Sequence, residues 1–506
     1  MNPWLVALTV MIPCLIEIID TSIVNVSLGH IRGSLSASFD ESTWAITAYL
    51  VSNAIVIPMA AWLSRLIGRK NYLLGSIVLF TFSSFMCGSA WSLQSLVFFR
   101  IVQGIGGGGL IPLSQSILLE SFPREKHGTA MAIFGMGAML GPIVGPLLGG
   151  WITDTWSWRW IFYINIPIGI LSIILNIVVI HDPPYMKRQK MKIDYWGLIF
   201  LSVGLGSLQL ILDKGEREDW FASDLILTFG VIAVVALVLL VINEYYADRP
   251  IVNLKLLRDR TFTSGCMVLF FVFLNLFGGI VLLPIFLQML MGYTSMDAGL
   301  VLGPGGIASM IAMPITGKLV SVVDPKRILA VGVSVCALST YMMSQFNLAT
   351  DFWTFVLPRV ASGLGMGLTF IPLTTMTLSH IPREDMTEAT SLYNLIRNLG
   401  ASVGIALSAT IVSRQAQLHQ NRLASHLSPF DSRYTSYHDS IAKFLGVQGI
   451  SPAGADGVIY RELVRQSTAQ GFNDAFLIMS LLTLCILPFV FLMRRTDAPT
   501  GPPSVH

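Results

Sequence analysis

Three ionisable residues stand in stretches that are otherwise almost wholly apolar. Glu17 and Asp20 interrupt the run 5–28, and Arg100 lies several residues into the run 95–118. A charge at the centre of a membrane-spanning helix costs at least about 2.5–3.5 kcal/mol on insertion scales, so such residues face a cavity or a partner and serve function. Glu17 and Asp20 are three apart and share one face of a helix. Apolar surroundings favour the neutral form of a carboxylic acid, whereas a neighbouring guanidinium favours the charged form. Held between the two, a carboxyl group can take and release a proton near neutral pH. Asp20 is expected to be the principal protonation site, Arg100 the group that tunes it, and Glu17 a second acid. The architectural alternatives are that Asp20 only pairs structurally, that Glu17 snorkels or pairs locally, and that Arg100 anchors to backbone carbonyls. A proton driven inward across about 100 mV releases about 2.3 kcal/mol, and one pH unit adds about 1.4 kcal/mol. Together they sustain a gradient of the order of a few hundredfold in a neutral cargo.

The elements that position these groups follow from composition. Of 506 residues 53% are hydrophobic and 12% charged, with a mean hydropathy of +0.68. Soluble domains carry about 25% charge, so this chain cannot cover a water-facing surface. Apolar runs recur near the length that crosses a hydrocarbon core. Fourteen are read: 5–28, 43–64, 71–90, 95–118, 129–150, 160–181, 196–213, 224–243, 263–289, 298–320, 328–346, 353–378, 389–412 and 472–493. In lipid the backbone must satisfy itself, so these runs are helices rather than barrel strands. The fold class is all-α, a polytopic membrane protein. The first run is too long for a signal peptide, contains two acids and lacks a small-residue cleavage site, so it is expected to stay.

Lys and Arg set the orientation. They gather in the loops after even-numbered spans (Arg65, Arg69, Lys70; Arg124, Lys126; Lys255, Arg258, Arg260; Arg383), in the linker (Lys187, Arg188, Lys190, Lys192) and in the tail (Arg494, Arg495). Loops 290–297 and 347–352 have none. Both termini are therefore expected in the cytoplasm. The net charge of +3 expresses topology and not affinity for nucleic acid. Cys14, Cys87, Cys266, Cys336 and Cys485 are scattered without metal spacing and read as small core residues.

A duplication organises the chain. RIVQGIGGGGLIPLSQSILLESFPRE, 100–125, returns as RVASGLGMGLTFIPLTTMTLSHIPRE, 359–384. Arg100 matches Arg359, and Gly104, Gly106 and Gly108 match Gly363, Gly365 and Gly367, all 259 residues apart. The repeat is eight spans long, which fits two parallel-related six-helix halves with two extra helices between them. The expected domains are 1–182, a six-helix bundle; 183–262, a linker with two extra spans; and 263–493, a second bundle with a long periplasmic loop at 413–471. A cytoplasmic tail, 494–506, follows. The glycines do not make a phosphate loop, which requires a strand before and a helix after in an aqueous βαβ unit. Within a span they permit close helix approach. In GPIVGPLLGG, 141–150, Gly141, Gly145 and Gly149 line one face and Pro142 and Pro146 a neighbouring stripe, predicting a close-packed, bent helix.

The motifs resemble those of the major facilitator superfamily, in its fourteen-helix drug:proton antiporter family that includes EmrB and QacA, over nearly the whole chain. GPIVGPLLGG, with Gly150 as its last residue, resembles the fifth-helix antiporter motif. FFRIVQGIGGG resembles the fourth-helix motif with its intramembrane arginine, here Arg100. EIIDTSIVNVSL resembles the first-helix motif and puts Asp20 at its acidic position. WRWIFYINIPIG, LPIFLQMLMGYTSMDAGL and SLYNLIRNLGASVGIAL are also similar to the family's patterns. In AWLSRLIGRK the cytoplasmic gating loop keeps Gly68, Arg69 and Lys70, but Ala61 replaces its glycine and Arg65 its aspartate, which puts the usual charge relay in doubt and points to the EmrB-like branch. RQAQLHQNRLASHLSPFDSRYTSY, opening the 413–471 loop, resembles the EmrB loop. With apolar residues interspersed in SIAKFLGVQGI and VIYRELVRQ, the loop is read as an amphipathic hairpin that docks a periplasmic adaptor, with a mobile loop without a partner as the alternative.

The resemblance implies a proton-coupled multidrug exporter of the bacterial inner membrane, taking hydrophobic or amphipathic drugs and fatty acids. It further implies a periplasmic membrane-fusion adaptor like EmrA and an outer-membrane channel like TolC. No cofactor and no metal are expected, and membrane lipids surround the spans. Asn25, Gln103, Gln115, Asn275, Gln288, Asn394, Arg397 and Asn398 are the candidate polar residues of the cavity, with bonding between helices as the alternative for the last three. Asp297 at a helix mouth is expected to cap or be solvated. Export of a native metabolite, import, and a non-transporting envelope component remain as rival readings. An enzyme does not fit, since no nucleophile, base and oxyanion donor come together.

Overall fold

A computed structural model describes residues 2–182, 194–247, 250–428, 430–447, 451 and 454–493. Linker residues Lys187, Arg188, Lys190 and Lys192, tail residues 494–506, and the side chains of Pro142 and Pro146 lie outside the described residues.

The chain runs through helices α1 Pro3–Ser34, α2 Phe39–Ile67, α3 Arg69–Gly88, α4 Leu93–Gly107, α5 Leu110–Ser121 and α6 His127–Thr155. After α7 Trp160–Tyr163 and α8 Asn165–Val179 come the extra pair, α9 Tyr195–Lys214 and α10 Asp224–Tyr246. The second half holds α11 Arg260–Met289, α12 Ser295–Leu319, α13 Pro325–Met343, α14 Phe352–Leu378, α15 Met386–Ala424, α16 Ser432–Val447, α17 Ala455–Cys485 and α18 Leu487–Leu492. Thirteen described helical stretches are long and apolar enough to cross a membrane, α4 with α5 and α7 with α8 each forming one, and α6, at the place of the expected fifth span, is one unbroken helix of 29 residues. The all-helical membrane fold read from the runs therefore stands.

Local chemistry starts the helices where the runs begin. Ser38 and Glu41 form a capping box on α2, the Ser38 Oγ accepting from the Glu41 amide at 3.2 Å, and Thr294 and Asp297 do the same for α12. Such boxes satisfy two orphan amides, and Asp297 is a cap as expected. Gly68, between α2 and α3, has φ of +90°, a conformation that glycine alone adopts at little cost.

Packing repeats with the sequence. α1 packs on α6, α2 and α3 on α4, and α3 on α8; correspondingly α11 packs on α15, α12 and α13 on α14, and α13 on α17. The duplicated glycines sit at these crossings. A Cβ on Gly106 would lie 2.6 Å from the Phe80 amide nitrogen, and one on Gly365 would lie 2.8 Å from that of Cys336. Helices in lipid associate through such close backbone approach. α9 of the extra pair bridges the halves: Lys214 Nζ donates to Thr43 Oγ1 of α2 at 3.0 Å, and Gln209 Nε2 to Ser402 Oγ of α15 at 2.9 Å. The outer side of α10 leaves Val231, Val234, Val238 and Val241 exposed, the surface that hydrocarbon requires.

The long connector is more than a loop between spans. The connector 413–471 is helical over most of its described length: α15 continues to Ala424, α16 follows, and α17 begins at Ala455. Polar helices carry no span signal, so the apolar runs ended before the helices did. His419 Nε2 meets Asp474 Oδ2 at 2.8 Å, and Tyr434 Oη donates to Asp456 Oδ1 at 2.9 Å, tying the three helices together.

Candidate functional site

α1 carries its two acids inward because the rest of that face is apolar core: Val10, Cys14, Ile16 and Ile23 are buried beside Glu17 and Asp20. α6 fixes α1 from outside the site. A Cβ on Gly145 would lie 2.5 Å from Ser22 Cβ, one on Gly149 2.8 Å from Ile23 Cγ1, and one on Gly141 would strike Ile18. The three glycines at spacing four are thus the surface on which the Asp20 turn rests. Gly150 has open space at its Cβ position and takes no part.

Asp20 is fully enclosed and every one of its partners is polar. Arg100 Nη1 donates to Oδ2 at 2.6 Å, while Gln103 Nε2 and Asn165 Nδ2 each donate to Oδ1 at 2.9 Å. Arg100 also donates from Nε to the Ala45 carbonyl at 2.9 Å and from Nη1 to Gln103 Oε1 at 2.7 Å, and it lies 4.2 Å over the Tyr49 ring. Asn165 reaches back to Ser84 Oγ at 3.0 Å. Charge-assisted bonds of this length are the strong kind, and a buried pair repays its desolvation only when its other polar atoms are satisfied. Here α4 and α8 supply the donors, α1 the accepting carboxylate, α3 the hydroxyl that holds Asn165, and α2 a carbonyl and a ring.

Glu17 sits one turn away, buried, with Oε1 accepting from Asn53 Nδ2 at 2.9 Å and Oε2 without a hydrogen-bond partner. It attracts Arg397 of α15 across the boundary between the halves. Arg397 is half-buried, with its guanidinium 5.7 Å from the Phe273 ring centre.

The remaining candidates separate into groups. Gln115 accepts from Asn394 Nδ2 at 2.6 Å, so these two join the halves to each other. Asn275 accepts from Thr340 Oγ1 at 3.0 Å inside the second half. Asn25 is exposed and bonds back to the Thr21 carbonyl at 3.3 Å; Gln288 is exposed, and Asn398 is half-buried. None of the last three joins the Asp20 network.

The loop at the far end of α2 forms a clamp. Arg69 Nη1 bonds Glu120 Oε1 at 2.7 Å, and Lys70 Nζ donates to the Ile177 carbonyl at 2.7 Å. Arg65, standing where the related motif has an aspartate, pairs with Glu388 and lies 3.7 Å from Asp385, both in the second half. Ser116 and Thr387 hydroxyls meet nearby at 3.0 Å. The relay that the sequence put in doubt is replaced by a salt bridge between halves. Reversing it should loosen this end: with cysteines at Ser116 and Thr387, cross-linking is expected to fall several-fold in Arg65→Glu and to return in Arg65→Glu/Glu388→Arg. Equal yields in all three would remove the clamp.

Sequence reasoning missed Tyr49, Asn53, Ser84 and Asn165. The available signal was weak: buried amides and hydroxyls in apolar helices tend to bond across helices, and Asn165 lay inside a quoted motif.

The Major Facilitator Superfamily pattern matches residues 11–405. The chain is 36% identical over 494 residues to the Fatty acid resistance protein FarB of Neisseria gonorrhoeae, covering 97% of this chain and 96% of that one. It is 35% identical over 479 residues to the Multidrug export protein EmrB of Escherichia coli, covering 94% and 93%. Among solved structures it resembles the proton:xylose symporter XylE (TM-score 0.61, 14% identity, 98% and 97% covered). The human organic anion transporter MFSD10 (TM-score 0.61, 12% identity, 96% and 100% covered) is similar in the same way.

Proposed function

The chain belongs to the major facilitator superfamily, and on that footing we propose that it is a proton-driven exporter of lipophilic toxic compounds. The reading is of a transporter in the bacterial inner membrane with both termini in the cytoplasm. Asp20 is the proton carrier, Arg100 the fixed cation that balances it, and Glu17 the second acid, set to respond to Arg397 when the halves move. The observation that carries this is Asp20 itself: a carboxylate sealed from solvent on one bundle, held by one cation and two amides that can release it. Relatives named for multidrug export and fatty acid resistance support a lipophilic cargo. The test is purified protein in liposomes with an imposed pH gradient and a panel of dyes. Dye movement must follow the gradient and stop when it is collapsed; movement at equal rate without it sinks the reading.

The helical extension supports a further partner of the same pump, a periplasmic adaptor passing cargo to an outer-membrane channel. α16 shows Tyr437, Phe444 and Val447 to solvent, exposed by 53%, 61% and 88%, and exposed apolar side chains in a cluster mark interaction sites. Replacing all three by serine is expected to reduce co-purification of a co-expressed adaptor by about tenfold or more, the loss of a few buried apolar contacts. Unchanged recovery refutes this docking site.

A further inference from the structure

The two arginines of the repeat have unlike surroundings. Arg100 is neutralised by Asp20; Arg359, 259 residues on, is 7% exposed, and no ion pair or hydrogen bond engages its guanidinium among the described residues. Its Nε is buried without a partner. The same offset carries Gln103 to Ser362, and α11, which packs on α15 as α1 packs on α6, has no Asp or Glu along its length. Gly279, Ser362 and Arg359 line one cavity between α11, α13 and α14, with Asn275 and Thr340 also on its wall. The cavity has room for about one water-sized group. The second half thus keeps the cation of the first, lacks its carboxylate, and is hollow beside the missing group.

A buried charge without a counter-charge is a large penalty unless something supplies one. We propose that this cavity is a monoanion site in which an external anion takes the place that Asp20 fills in the first half, and that the anion is the carboxylate head of a lipophilic acid. Arg359 offers a fork of donors that matches a carboxylate, and Asn275, Thr340 and Ser362 can orient it. Val272, Leu276, Cys336, Met343 and Met366 form the apolar remainder of the wall, and methionine yields readily to a chain that enters beside it. A chloride ion has the same charge and suits the same space, so the test distinguishes the two.

The probes are dodecanoate, dodecanol and sodium chloride against sodium gluconate, added to the purified full chain in uncharged detergent with no gradient. Binding is read by calorimetry and by the shift in Tm. Dodecanoate is expected to bind at least about tenfold more tightly than dodecanol, a charged hydrogen bond's worth. Arg359→Gln should erase that difference. Gly279→Asp sets an acid on the wall of the cavity, where its Cβ has open space; it should raise Tm without ligand and abolish the dodecanoate preference. Loss of the dodecanoate effect alone in both variants assigns the carboxylate. Loss of a chloride effect alone assigns the site to inorganic anion and overturns the lipophilic acid. A dodecanoate preference that survives in both variants overturns the site. Because no transport is measured, the outcome is independent of whether Asp20 carries protons.

Discussion

Asp20→Asn protein in liposomes is expected to lose concentrative export altogether. With a proton gradient of about 100 mV and one pH unit the native protein can hold a cargo gradient of the order of a few hundredfold; the variant should hold a ratio of about one. Its fold should survive, because Arg100 keeps the Ala45 carbonyl, Gln103 and the face of Tyr49. Asparagine is nearly isosteric, and the amides of Gln103 and Asn165 can turn to meet it. Downhill exchange of dye with both sides at equal pH separates a lost coupling from a lost protein. If the variant still concentrates dye when a gradient is imposed, Asp20 is not the carrier.

Arg100→Ala should act in the opposite order, on stability before transport. It leaves the Asp20 carboxylate enclosed at 0% exposure with only the two amides. Removing one partner of a buried pair costs about 3–5 kcal/mol in soluble proteins, so a fall in Tm well beyond that of Asp20→Asn is expected. The double variant Asp20→Asn/Arg100→Gln, which replaces both charges by amides, should recover most of the loss. With Arg100→Gln alone completing the cycle, non-additivity is the signature of a direct contact. Equal Tm values for Arg100→Ala and the native protein would mean that the pair contributes nothing to holding α1 against α4.

What could be read from the sequence was whatever a single helix expresses by itself. Run length and apolarity located the spans, and the two rarest charges of the first bundle pointed to each other because neither is tolerable alone. The spacing of Gly141, Gly145 and Gly149 gave a face, and that face packs on the Asp20 turn. The rest is set by contacts between distant segments. Asn165 reaches Asp20 from 145 residues away, and its type says only that it wants a partner. Arg65 read as a defect in a motif because its partners, Asp385 and Glu388, lie in the other half. The repeat made Arg359 look like a copy of Arg100, whereas the difference lies in α11, which has no acid to pair with it. The interspersed apolar residues of 413–471 gave a hairpin, but the continuation of α15 stayed hidden because hydropathy reports the solvent of a segment, and α15 changes solvent without changing conformation.

That last property has a mechanical result. α15 is one helix of 39 residues, about 58 Å from end to end, with Glu388 at one tip and the α16 hairpin beyond the other. A rod of that length turning by about 10° about its middle carries each end through about 5 Å. The Arg65–Glu388 pair and the α16 hairpin thus sit at the two ends of one lever.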